Sequence, residues 1–509
     1  MAATFSYDVV VLGYGAAGAA AALQAAQSGA KVLVVEKSST GGGNSFVSSA
    51  NMTCPQDFQA AMKKDGAAHF TDYLEESTQH TTPREVIAAF TKGLYEIEPW
   101  LKELGGELED SKYDKMYSYY IPPMTFPHLD SAQGLNLTVR HLKQTKLSPA
   151  DTGGRRIWEL LHHHIKDNAN ITLSYNSRCK RILKDHNGQI NGVLLQNDEF
   201  VPAPAVIMAC GGFENDIELR RDLMGPREFG LLGSPHNNGD GFRLAQHVGA
   251  RLWHASAEAT VLGLLPPGEE CGFALGVRKP GFIYVNRTGQ RFVDETKIES
   301  HRGHIETAEQ DPYSGKSAHD PMYMISDKEN LLDPDKPPIV DFFSYQVVVN
   351  GYKWSEHSEE EIKKGWVIVA DTLEDLAEKL DMQELPATVG EWNDQCQNPP
   401  QIDETLATTL DPMRRDHETL VPLKAPFCAI RIMPLLYNTQ GGPRRNEKAQ
   451  ILSIDGPPIE GLYGAGECGS IWGHVYQSST NFAETIVFGR IAAKEAAALA
   501  KSRKKLPLR

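Results

Sequence analysis

A strand–glycine loop–helix unit at the amino end restricts this chain more than any other feature. Asp8-Val9-Val10-Val11-Leu12 is almost wholly apolar, which suits a strand buried on both faces of a parallel sheet. Gly13-Tyr14-Gly15-Ala16-Ala17-Gly18 follows at once, then an alanine-rich helical stretch from Ala19 to Ser28 that Gly29 stops. Lys31-Val32-Leu33-Val34-Val35-Glu36 reads as the next strand, completing a βαβ unit. In that setting each glycine has a separate task. Gly13 permits the tight turn, Gly15 lets the backbone approach a pyrophosphate, and Gly18 lets helix and strand pack closely. The helix amino-terminus then offers free N–H groups and its positive dipole end to the phosphates. Glu36 stands where a carboxylate accepts hydrogen bonds from ribose hydroxyls, which disfavours a 2′-phosphate.

The next residues separate FAD from NAD. A second glycine-rich stretch, Gly41-Gly42-Gly43-Asn44-Ser45, comes directly after Glu36. The ADP half needs no such loop, whereas a longer dinucleotide with an isoalloxazine ring would be wrapped by one. An FAD-dependent oxidoreductase is expected.

Composition excludes several other classes. With 66 acidic against 51 basic residues the net charge is −15, the wrong sign for neutralising nucleic-acid phosphates. No run of apolar residues is long enough for a transmembrane helix, and no signal-peptide pattern opens the chain. The seven cysteines are scattered without a CxxC pair, which argues against a disulfide framework, an iron–sulfur cluster or a zinc site. His162-His163-His164 lacks metal-ligand spacing, so no metal is expected, and a cytoplasmic location is the default. A length of 509 residues suggests two or three domains.

Further along, helical patterns run around 55–78 and 84–104 and from Arg156 to Lys166, with a loop-rich stretch at 106–153. Ala205-Val206-Ile207-Met208-Ala209-Cys210 is another buried strand, ending in Gly211-Gly212. The final stretch returns to strand–glycine–helix, from Leu462-Tyr463-Gly464-Ala465-Gly466-Glu467 to an alanine-rich helix over Thr485–Lys501.

These segments, with Asn238-Gly239-Asp240-Gly241 and Gly461–Gly489, resemble the fumarate reductase/succinate dehydrogenase flavoprotein superfamily, which includes the flavin-dependent 3-ketosteroid dehydrogenases. Weaker echoes are Val285–Glu295 and Thr439-Gln440-Gly441-Gly442. The resemblance implies an α/β fold, α+β overall. A discontinuous Rossmann-like FAD domain (1–261 and 439–509) would carry an inserted α+β capping domain (262–438). It implies non-covalent FAD, with contacts at Gly13, Gly15, Ala16, Ala17, Gly18, Glu36, Lys37, Gly42, Gly43, Asn44, Ser45, Gly211, Asn238, Asp240, Gly466, Glu467, Ser479 and Asn481. Glu467 would bond the ribityl chain, and the helix beginning near Phe482 would face the flavin.

Enzymes of this superfamily move a hydride between flavin and one carbon of a carbonyl- or carboxylate-activated C–C bond, while a protein group moves a proton at its neighbour. Their dicarboxylate members read substrate with a histidine before Thr-Met-Gly-Gly and an arginine in the carboxy-terminal loop. Here Asn438 and His474-Val475-Tyr476-Gln477-Ser478-Ser479 stand instead, so bidentate carboxylate binding is lost. The loop looks more like that of the ketosteroid dehydrogenases, with Tyr476 at their tyrosine and Ser478 at a serine found in some of them. Tyr476 would then donate to the substrate carbonyl. For the proton-transfer group the stretch offers His301 or Arg302, with a surface salt-bridge cluster involving Glu295 and Glu299 as the alternative. Tyr119, in Tyr117-Ser118-Tyr119-Tyr120, would line an apolar pocket or pack within its loop. The expected activity is hydrogen transfer across a C–C bond of a 3-ketosteroid-type or other cyclic ketone or enone. The alternatives are reduction of a non-dicarboxylate unsaturated acid, and service as the flavoprotein subunit of an electron-transfer complex. The expected partners are a small-molecule substrate and an electron donor or acceptor.

Overall fold

The computed structural model describes residues 5–55, 66–111, 115–333, 336–399 and 413–505. Part of the helix expected over 55–78 lies outside them; the described part is a helix over Gly66–Ser77.

The opening unit forms as its pattern requires. Val9–Leu12 pairs in parallel with Val32–Val35 on one side and Ala205–Met208 on the other. Ile171–Ser174 and Pro458–Gly464 extend the parallel sheet, and Gln450–Leu452 closes one edge antiparallel, giving six strands. Alternate residues of the first strand feed different cores, which is why it is apolar throughout. Val9 and Val11 face the helices, while Val10 and Leu12 face a three-stranded sheet of Cys179–Lys184, Ile190–Leu195 and Phe200–Pro202.

Two long-separated helices cover the first face, Ala16–Gln27 and the 25-residue Asn481–Lys505. Their alanines and glycines let the backbones approach closely. A Cβ on Gly489 would lie 2.8 Å from the Ala17 carbonyl oxygen. A Cβ on Gly18 would lie 2.0 Å from the carbonyl oxygen of Gly13, which itself holds φ +98°. Arg445 and Glu484, both fully buried, form an ion pair beneath the last helix.

A seven-stranded second sheet is built on one 13-residue strand, Phe427–Thr439. It pairs antiparallel with Glu258–Leu264, Met322–Asp327 and Ile368–Ala370, and parallel with Gly230–Leu231. Phe273–Ala274 and Phe282–Val285 complete the sheet. Glu258–Leu264 and Phe427–Thr439 run without a break through positions 261/262 and 438/439. Helices Leu373–Leu380 and Leu385–Gln397 bury Leu376, Leu380, Val389 and Trp392 against the far side. The whole is mixed helix and sheet, as the sequence suggests. Among the described residues no helix is long and apolar enough to cross a membrane.

Gly18→Ala forces a methyl group into the Gly13 carbonyl, an overpacking cost of about 1–3 kcal/mol. The variant should purify with less bound flavin and a lower Tm than wild type. Equal flavin content and Tm would show that helix and loop can separate freely.

Candidate active site

A cavity of about 560 Å³ extends from the glycine loop to the second sheet. Gly13, Gly15, Ala16, Ala17, Glu36 and Lys37 line its first end. The Glu36 carboxylate accepts from the backbone N–H groups of Tyr14 and Ser38, both at 2.8 Å, so the loop itself aims the acid. Gly15 caps the first helix without a side-chain bond, and the first turn holds no acidic residue. That leaves the helix amino-terminus suited to an anion. A Cβ on Gly15 would meet only Gly42 O and Ser45 Oγ, at 3.5 Å, so the space over it is open for a phosphate. Lys37 Nζ donates to Asn238 Oδ1 (2.5 Å) and Asp240 Oδ2 (3.0 Å), while Arg178 pairs with the other Asp240 oxygen. Arg155 lies over the Phe46 ring at this end of the cavity.

Asn44 holds the middle of the cavity together. Its Oδ1 accepts from Ser234 N (2.7 Å), which directs the NH2 group inward. That group donates to Glu214 Oε1 (2.8 Å), the Tyr437 carbonyl (2.8 Å) and Glu467 Oε2 (3.2 Å). Glu214 also accepts from Asn237 (2.8 Å) and Thr439 Oγ1 (3.1 Å). Burial pushes the Glu214 carboxyl up to about 7, against the pull of those donors. Burial, with Glu214 close by, also holds Glu467 well above the carboxylate range. Asn481 opens the last helix at the cavity wall, and its Oδ1 is buried without a partner. An open glycine cradle at a helix amino-terminus and an aimed acid fit the ADP half of an FAD molecule.

The far end is aromatic. Tyr119, Phe343, Tyr437, Tyr476 and His301 surround it. His301 stacks on Tyr437 at 5.2 Å and meets Tyr476 at 5.4 Å, and Tyr437 donates to Tyr119 Oη at 3.0 Å. His301 Nδ1 lies 2.8 Å from Glu299 Oε1, 3.2 Å from Ser300 Oγ and 3.3 Å from Ser478 Oγ. With a proton on Nδ1 given to the carboxylate, Nε2 is the nitrogen left for other partners. The Tyr476 hydroxyl is held well above the phenol range by burial and by the nearby Glu299 and Glu467 carboxylates, so it remains a proton-bearing donor. Asn438 lines the cavity too, and its Oδ1 accepts from Gln440 Nε2 at 2.8 Å.

Of the residues singled out in the sequence, the cavity collects Gly13, Gly15, Ala16, Ala17, Glu36, Lys37, Gly43, Asn44, Ser45, Gly211, Asp240, Gly466, Glu467, Ser479, Asn481, Tyr119, His301 and Tyr476. Gly18 and Gly42 serve packing and turn geometry beside it; Gly42 holds φ +116° against the Phe46 ring. Asn238 reaches the site through Lys37, and Ser478 through His301. Arg302 is not among the lining residues, and its guanidinium lies over the Phe126 ring. The stretch is no surface salt-bridge cluster either, because Glu295 and Glu299 are buried, the first paired with Arg291 and the second with His301. His162 Nδ1 meets the Tyr14 hydroxyl at 2.8 Å and its ring stacks on Trp158, so it packs the loop.

Sequence reading missed Gln477, Glu214 and Tyr437. Gln477 is fully buried, and its Oε1 accepts from Tyr73 Oη (2.6 Å) and Thr125 N (2.9 Å), which pins the Tyr476 loop. Glu214 directly follows the Gly211-Gly212-Phe213 turn, and a buried acid beside a ligand-facing turn was the available signal.

Comparison with known proteins agrees with this geometry. The family model described as an FAD binding domain matches residues 8–483. The chain belongs to the FAD binding domain family. Its cofactor is FAD, and it is an oxidoreductase of the flavin-dependent class acting on CH–CH groups. It is 26% identical to the urocanate reductase of Eggerthella lenta, over 98% of this chain and 75% of that protein. It is also 26% identical to the 4-oxocyclohexanecarboxylate 2-dehydrogenase of Sinomonas cyclohexanicum, over 91% of this chain and 87% of that one. Its fold is that of the 3-ketosteroid Δ1-dehydrogenase of Sterolibacterium denitrificans, with TM-score 0.74, 20% identity, and coverage of 97% of this chain and all of the other.

Glu214 makes a pH prediction. Its folded value lies above the unfolded one, so the folded state keeps a proton that the unfolded chain releases between about 4.5 and 7. Its contribution to stability is complete below that window and is lost as pH rises through it. Glu214→Gln cannot titrate, so its Tm should gain on wild type as pH rises across the window. A constant Tm difference would show that folding does not raise the Glu214 carboxyl.

Proposed function

We propose that this FAD binding domain family member adds or removes hydrogen across the C–C bond beside a ring carbonyl, in a neutral cyclic ketone or enone. One observation carries the reading. The far end of the cavity is walled by aromatic rings, while the cationic side chains of its lining, Lys37, Arg155 and Arg178, belong to the glycine-loop end. A ring can lie against the wall that Phe343, Tyr119 and Tyr437 form, whereas a dicarboxylate would find no guanidinium among the lining residues there.

FAD, held non-covalently, supplies the acceptor or donor of the hydride. The protein supplies the rest. Tyr476 donates its hydroxyl proton to the substrate carbonyl oxygen, which stabilises the negative charge that develops there. His301 Nε2 takes a proton from the carbon next to that carbonyl, or returns one, and Glu299 keeps the imidazole in the tautomer that leaves Nε2 available. The aromatic walls exclude water from the exchange. Residues 1–261 and 439–509 act as the FAD unit and 262–438 as the cap, with a separate redox partner exchanging electrons. The Sinomonas relative, named for a ring ketone that carries a carboxylate, supports the ring-ketone part of this reading.

The test is the anaerobic rate at which cyclic ketones bleach the bound flavin. Tyr476→Phe should slow bleaching by about 10²–10³-fold, as loss of one oxyanion donor does. His301→Gln should slow it by about 10²–10⁴-fold, the usual worth of a general base. Both variants should keep their flavin. A variant that bleaches at the wild-type rate removes its residue from the reaction, and a wild-type protein inert to every ring ketone removes the substrate class.

A further inference from the structure

Arg155 lines the cavity and has no part in the mechanism above. It stands in the first turn of the helix Gly153–Ile165, where no acidic residue lies and where the Thr152 side chain makes no capping bond. A cation at that end opposes the helix dipole, a cost that a bound anion would remove. The guanidinium lies over Phe46, 4.7 Å from the ring centroid, and its Nε donates to Glu159 Oε1 at 2.9 Å. Those contacts fix the plane of the group and occupy its Nε. The side chain is still 41% exposed, and among the described residues nothing engages Nη1 or Nη2. The other lining cations at this end are committed, since Lys37 and Arg178 both pair with Asp240.

Packing brings this fork to the phosphate cradle. Ser45 Oγ accepts from Ala16 N (3.0 Å), in the first turn after Gly15, and lies 3.5 Å from the point that a Cβ on Gly15 would occupy. Gly154 sits so close to the Ser45 carbonyl oxygen that a Cβ there has no room. Arg155 is therefore one residue away from a direct contact with Ser45, and the amino-terminal turns of two helices meet at the same serine. We propose that Arg155 binds the diphosphate of FAD, its Nη1 and Nη2 completing the phosphate site that the Gly15 cradle opens. A guanidinium edge matches two phosphate oxygens at once, while the helix amino-terminus supplies its own N–H donors.

The test strips the full-length chain of FAD, titrates it with FAD by flavin fluorescence, and records the phosphorus NMR spectrum of the reloaded protein. Arg155→Gln should weaken FAD binding by about 10–100-fold, the worth of a charge-assisted hydrogen bond, and should shift the phosphorus resonances of bound FAD. Arg155→Lys should recover part of the affinity, because an ammonium keeps the charge without the fork. Both variants should keep the wild-type Tm in the FAD-free state, because the side chain is only partly buried. Unchanged FAD affinity in Arg155→Gln would overturn the proposal. Weaker binding with unmoved phosphorus resonances would also overturn it, making Arg155 a wall residue that acts through Phe46. So would weaker binding that merely follows a lower Tm of the FAD-free protein, since the role would then be structural.

Discussion

The carboxamide of Asn44 is the interaction on which the site depends. Asn44 belongs to the second glycine-rich loop, yet its donors end on Glu214, on Glu467 and on the Tyr437 carbonyl of the long strand of the second sheet. A single side chain thereby ties the cofactor loop, the carboxy-terminal loop and the strand that carries Tyr437. Its NH2 group has two protons for three acceptors, and both carboxyls are buried. Burial raises both carboxyls, and Glu467 is raised further by Glu214 beside it, which favours their protonated forms. Removing the amide would take a donor from each of these three acceptors and leave Glu214 with Asn237 and Thr439 alone, a cost that rises with burial.

Beyond this hub Asn438 and Tyr476 both line the cavity. On the other side of Tyr476, Glu299 fixes His301. The same end of the cavity holds a phenol that remains protonated and an imidazole with a defined orientation. Those are the groups needed to polarise a carbonyl and to move the neighbouring proton.

Much of this was legible in the chain. The apolar run Val9–Leu12, the spacing of Gly13, Gly15 and Gly18, and Glu36 at the strand end gave the cofactor wall, because those constraints are local and follow from backbone geometry. Tyr476 and His301 were readable as candidates, but that His301 lines the cavity while Arg302 does not is visible only in the structure. Adjacent residues on an irregular segment point in different directions, and periodicity does not say which one enters the cavity. Gln477 and Glu214 could not be found from pattern. Their meaning lies in partners up to hundreds of positions away, as when Gln477 accepts from Tyr73. The paths of Glu258–Leu264 and Phe427–Thr439 across the expected boundaries were equally hidden, since a long strand pattern does not state which sheet it joins.

The central claim is that the substrate end recognises a neutral ring carbonyl and not a dicarboxylate. The most direct measurement is reoxidation of the photoreduced, anaerobic holoprotein in a stopped-flow spectrometer, with cyclohex-2-enone and fumarate compared at equal concentration. The account predicts that the enone restores the oxidised flavin spectrum while fumarate acts no faster than buffer. Rapid reoxidation by fumarate, with the enone inert, would contradict it.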